Sequence, residues 1–100
     1  LIKQTNPNRA FLLSGDRHIS EVAKIDLEGL NYPLYEFTCS GLTHTWSDTW
    51  PEENRYRVTD LIIKKNFGLI NVEWSEDLPT ITFEIRGKEN ELFTSYVPKF

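Results

Sequence analysis

Short apolar runs of strand length, each closed by glycine, proline, serine or asparagine, follow one another along most of this chain. Ala10, Phe11, Leu12 and Leu13 form an uninterrupted apolar run suited to a buried strand, and Ser14-Gly15 ends it in small residues that permit a sharp turn. Residues 21–27 read as a strand with Ala23, Ile25 and Leu27 on one face; Ile19, Val22, Ala23 and Asp26 also fit helical spacing, and the strand reading is preferred. A turn through Gly29, Asn31 and Pro33 leads to residues 34–40, where Tyr35, Phe37 and Cys39 alternate with Leu34, Glu36 and Thr38. Residues 67–74 put Ile70, Val72 and Trp74 on one face. Residues 80–86 give the clearest alternation, with Ile81, Phe83 and Ile85 one way and Thr80, Thr82, Glu84 and Arg86 the other. Gly87-Lys88-Glu89-Asn90 is a hairpin turn, after which residues 91–97 pair back as a last strand.

Other stretches are less regular. Leu1-Ile2-Lys3-Gln4 resembles the tail of a helix stopped by Asn6-Pro7-Asn8, because the residue before proline is pushed out of helical geometry. Residues 41–53 show no useful period and gather His44, Trp46, Trp50 and Pro51 into one loop, of a length that often carries function. Residues 55–66 hold Val58, Leu61, Ile62 and Ile63 without a clean repeat; they read as mostly irregular, with Lys64-Lys65-Asn66 returning the chain to solvent.

Composition narrows the class. One hundred residues, 39% apolar and 13% aromatic, suffice for one small domain with a buried core. The net charge of -4 gives no basic field, which argues against nucleic acid or an anionic membrane surface as partner. A single cysteine, Cys39, makes no internal disulfide, and a buried, inert thiol is its expected state. No apolar run approaches the roughly 20 residues that span a bilayer, and residues 1–8 have neither the basic start nor the apolar centre of a signal peptide. The chain opens on Leu1 and contains no methionine, so it is expected to be one partial domain, residues 1–100, of something longer. Trp46, Trp50 and Trp74 are read as core or rim packing rather than as stacking platforms for bases.

The candidate chemistry sits where the first apolar run ends. Asp16 and His18 place a carboxylate and an imidazole two residues apart at a strand end, a pair suited to holding a metal because a rigid strand fixes both side chains. Spacing alone leaves ordinary roles open: Asp16 as a turn former, His18 as a hydrogen-bonded histidine. Arg17 is read as a salt-bridge partner for Glu21 or another acid, and Glu21 either orients His18 through its free ring nitrogen or is a solvated acid. No glycine-rich phosphate loop, nucleophile elbow or zinc-finger spacing is present, and no catalytic residue is assigned.

Taken in order, SGDRH followed by Ser20-Glu21, then YPLYEFTCSGLTHTW, NFGLINVEW and TITFEIR, the chain resembles the C-terminal part of the alkaline phosphatase D-like metallophosphatases, within the calcineurin-like superfamily. The resemblance covers residues 10–86 and implies an α/β (α+β) fragment: the strand-rich C-terminal part of a two-sheet β-sandwich flanked by helices. It implies a metal-dependent phosphomonoesterase or phosphodiesterase, periplasmic or secreted, with Asp16 and His18 as ligands of a two-metal site. Where the wider superfamily has Gly-His-x-His, this chain has Gly15-Asp16-Arg17-His18. A carboxylate favours a hard cation such as Ca2+ and an imidazole a transition metal, so a Ca2+ and Fe3+ pair, or another divalent transition metal, is implied. His44 is implied to lie near the mouth of the site, where it either contacts a substrate phosphate or braces its loop. The superfamily's earlier metal motifs are absent from these residues, so the missing N-terminal part of the same domain is the expected partner and the isolated chain is expected to be inactive. The other reading is a non-catalytic β-rich binding or accessory module using the loop at residues 42–51.

Overall fold

In a computed structural model, which describes residues 1–5, 7–43, 45, 54–75 and 78–100, the chain forms two small sheets and almost no helix. A single-turn helix α1 (Ile2–Thr5) precedes β1 (Leu12–Ser14), β2 (Ser20–Ile25) and β3 (Leu34–Cys39), which form one sheet in the order β1-β3-β2. Strands β4 (Asn66–Glu73), β5 (Thr80–Gly87) and β6 (Leu92–Tyr96) form an antiparallel meander. The expectation of a strand-rich fold therefore holds at that level, and the strand reading of residues 21–27 prevails over the helical one.

The alternation read in residues 80–86 drives the packing. Phe83 and Ile85 are fully buried and meet Val22, Tyr35 and Phe37 of the first sheet in one core. Phe37 stacks on Phe83 at 4.8 Å between ring centroids, and Phe11 meets Phe83 edge-on at 5.3 Å. Gly68 lets the sheets approach: a Cβ there would come within 2.9 Å of Cys39 Sγ and 3.0 Å of the Phe37 ring. At the hairpin after β5, Asn90 takes a left-handed conformation and the Gly87 N–H donates to the Glu91 carbonyl at 2.8 Å.

Three local expectations are corrected. Residues 10–13 are not a buried strand: Leu13 is 64% exposed and Leu12 42%, because β1 is an edge strand of its sheet. Trp74 is 81% exposed, so it is not core; Trp46 and Trp50 lie outside the described residues. Asn66 does not return to solvent but is buried. Its side chain accepts from Ser20 Oγ at 2.6 Å and Cys39 Sγ at 3.5 Å and donates to the Lys64 carbonyl at 2.6 Å, while its N–H donates to the Gly41 carbonyl at 2.9 Å. These bonds satisfy polar groups that burial would otherwise leave costly, and they tie the two sheets together. Burial pushes the Cys39 thiol up against the opposing hydrogen bond with Ser20, so it stays protonated at neutral pH.

The irregular residues 54–62 run along the outer edge of β2. Ser20 and Ile62 exchange backbone hydrogen bonds at 3.0 and 2.8 Å, and Val58 N–H donates to the Val22 carbonyl at 2.8 Å. That cover explains why β2 buries both faces at Ser20, Glu21, Val22 and Ala23.

An aromatic cluster of Tyr35, Tyr96 and Phe100 fastens the C-terminal segment. Burial, then the hydrogen bond and charge of Tyr35, push the Tyr96 hydroxyl up to about 12. The unfolded chain releases this proton near pH 10. The fold retains it, so the stabilisation is complete below about pH 10 and is lost as pH rises towards 12. Thermal melts at about pH 9 and about pH 12 are expected to show a loss of Tm that is smaller in Tyr96→Phe; an equal loss in both proteins would contradict this origin.

Candidate functional site

The order β1-β3-β2 sets up the turn that carries Asp16 and His18. Strand β1 runs parallel to β3 and pairs Ser14 with Thr38, while β2 runs antiparallel and pairs Ser20 with Cys39. Residues 15–19 therefore cross over the C-terminal end of β3, bridging two inter-strand spacings of about 4.8 Å each while reversing direction. A span so short forces unusual backbone. Asp16 (φ 68°) and His18 (φ 55°) both adopt left-handed conformations on either side of Arg17. Such conformations cost a non-glycine residue roughly 1–2 kcal/mol, and they concentrate at sites where function dictates the side chain.

Asp16, Arg17 and His18 are all exposed. Among the described residues the exposed Asp16 carboxylate has no hydrogen-bond or ion-pair partner. The His18 N–H donates to Ser40 Oγ at 2.7 Å, and the Ser40 N–H donates to the Ile19 carbonyl at 3.1 Å. Ser14 at the end of β1 donates to the Glu36 carboxylate. The turn thus lies beside Ser40 and Gly41, just before the segment that leads to His44; His44 itself lies outside the described residues.

Glu21 lies one strand position into β2 and is buried to 1% exposure. Its carboxylate accepts from Arg57 Nε and from Asn54 Nδ2 at 3.3 Å, and Arg17 Nη1 stands 3.7 Å away. Pairing with two guanidinium groups makes burial of this charge tolerable. Glu21 thereby links the Asp16–His18 turn, through Arg17, to the segment at residues 54–57. Arg17 carries the ion pair with Glu21 rather than presenting a free cation beside the turn.

The donor set fits part of a metal site. A hard carboxylate and an imidazole project from one turn, at the carboxyl end of parallel strands, where α/β sheets commonly place their ligands. Among the described residues no group of three His, Cys, Asp or Glu comes together, so these two would need further ligands to close a site. The sequence reading missed Ser40, Asn54 and Arg57 as supports of the turn. Their partners lie 22 to 36 residues away, beyond any local pattern.

The backbone at Asp16 offers a direct stability test. Glycine removes the left-handed penalty but adds about 0.5–1 kcal/mol of chain entropy, whereas valine is strained there. Asp16→Gly is expected to leave stability unchanged or raise it by up to ~1 kcal/mol, and Asp16→Val to lower it by roughly 1–2 kcal/mol, in urea denaturation. Equal stabilities for the two variants would contradict the conformation described.

These features define a strand-rich, two-sheet protein with an exposed Asp/His turn at the end of a parallel strand pair. Compared with known protein families, curated proteins and solved structures, the chain matches none. Among the described residues no helix is long and apolar enough to cross a membrane.

Proposed function

We propose that the chain is the C-terminal segment of a metal-dependent phosphomonoesterase or phosphodiesterase of the alkaline phosphatase D-like kind, with Asp16 and His18 as two ligands of its two-metal site. The observation that carries this reading is the left-handed pair itself. Asp16 and His18 occupy backbone positions better suited to glycine, on an exposed turn at the carboxyl ends of β1 and β3. Asp and His enter this region more readily than most non-glycine residues, so the turn can present both side chains side by side at modest backbone cost.

The Asp16 carboxylate suits Ca2+ and the His18 imidazole suits Fe3+ or another transition metal. When bound, such a pair polarises a phosphate ester and supplies a hydroxide at neutral pH. The chain's own residues do the placing. Asp16 and His18 would hold the ions, Arg17 and Glu21 fix the turn between them through their ion pair, and His44 would be the candidate for contact with the substrate phosphate. A parent protein exported to the periplasm or secreted accords with this reading.

Completion by the rest of the same domain is supported by two open features. The free edge of β1 carries exposed Leu12 and Leu13, and along the core-facing side of β4 exposure rises from Asn66 to Val72 and Trp74. Exposed apolar side chains on an edge strand suit pairing with further strands.

The test uses the protein expressed from its whole reading frame. Chelator treatment is expected to abolish hydrolysis of bis(p-nitrophenyl) phosphate, with Ca2+ and iron together restoring it. Undiminished hydrolysis by a metal-free preparation would refute the mechanism. A reading frame devoid of further Asp and His metal motifs would instead favour the accessory binding module.

A further inference from the structure

We infer that Ser40 is the positioning residue of the Asp16–His18 turn: its hydroxyl, seated just beyond the C-terminal end of β3, holds the left-handed His18 backbone so that both side chains are presented together. The inference rests on the metal-binding reading only for what the turn presents them to.

Residues 15–19 pass over the end of β3 beside Ser40, which bonds to their exit. At the entry, Gly15 lies close to Ser40, with room for no more than a methyl group between them: a Cβ on Gly15 would sit 3.7 Å from the Ser40 Cβ. At the exit, the His18 N–H donates to Ser40 Oγ at 2.7 Å. The Ser40 N–H donates to the Ile19 carbonyl at 3.1 Å, and its O–H points to the same carbonyl at 3.5 Å. One residue therefore supplies an acceptor to the peptide before His18 and two donors to the peptide after Ile19, bracketing the exit of the strained turn.

The energetics make this role specific. Two left-handed non-glycine residues within three positions relax to extended backbone unless surrounding bonds over-determine them. The Glu21 and Arg17 ion pair restrains the middle of the turn through a side chain that is itself 40% exposed. Ser40 acts on the backbone, at a half-buried position, and on the peptide whose φ is unusual. A hydroxyl is required because the bond uses it as acceptor from His18 N–H, which a methyl group cannot replace. Threonine keeps that acceptor.

The test follows the His18 amide in protein labelled with 15N-histidine, its resonance assigned by loss in His18→Gln. Ser40→Ala is expected to speed exchange of this amide by about fivefold or more, with Ser40→Thr restoring the wild-type rate. Added Mn2+ should broaden the same resonance, and Ser40→Ala should raise the concentration needed by about tenfold, again rescued by threonine. Should Ser40→Ala fail to fold, Ser40→Cys, a weak acceptor of similar shape, takes its place in both measurements. Unchanged exchange in the alanine or cysteine variant, or no rescue by threonine, overturns the inference. Failure of Mn2+ to broaden the wild-type resonance counts against the metal role of Asp16 and His18, while the exchange rates still decide the role of Ser40.

Discussion

Phe83→Ala is expected to cost about 3–5 kcal/mol, a large share of the roughly 5–15 kcal/mol that holds a domain of this size together. Phe83 is fully buried at the centre of the only core that joins the two sheets among the described residues, with Phe37 stacked on one side and Phe11 edge-on at another. Removing its ring leaves a cavity walled by strands that belong to different sheets. The hydrogen-bonded registers of β3 and β5 resist the collapse that would fill it. Urea denaturation measures the loss as a fall in the transition midpoint. Trp74→Ala is the matched control: it deletes a larger side chain that stands in solvent, and its effect should stay within about 0.5 kcal/mol. Similar losses for the two variants would contradict the packing described.

Loss of the proposed metal ligands should give the second large effect. In the protein expressed from its whole reading frame, His18→Ala is expected to lower hydrolysis of a chromogenic phosphodiester by about 100-fold or more, because a site that loses one ligand loses both affinity and geometry. Asp16→Asn keeps the shape of the side chain and removes its charge. It should weaken the harder cation selectively, so that excess Ca2+ recovers activity in Asp16→Asn but not in His18→Ala. Since both residues are exposed and neither contributes to the core, the melting temperature of metal-free His18→Ala should stay close to that of the metal-free wild type. An activity loss that tracks unfolding would point away from a ligand role.

The fold was legible where burial has a local period. Residues 80–86 alternate because one face of β5 is core and the other is not, and residues 34–40 show Tyr35 and Phe37 inward for the same reason. Elsewhere the outcome depends on what lies above a strand. Leu12 and Leu13 have the composition of a buried strand and the exposure of an open edge, and no local pattern separates the two. Glu21 appeared as an acid free to orient His18 or to meet water. Its burial follows from residues 54–57, which fold back along β2 and bring Asn54 and Arg57 to it. Asn66 follows two lysines and reads as surface, yet Ser20, 46 residues earlier, makes it a buried hub. Asp16 and His18 were visible as residue types; the left-handed backbone beneath them, and the Ser40 hydroxyl that holds it, came from β3 lying between β1 and β2.

The most direct test of the central claim is anomalous X-ray diffraction from crystals of the whole-reading-frame protein loaded with iron and Ca2+. The account predicts metal peaks within about 2.0–2.5 Å of an Asp16 carboxylate oxygen and a His18 ring nitrogen. Metal peaks elsewhere in the protein, with the Asp16–His18 turn bare, would contradict it.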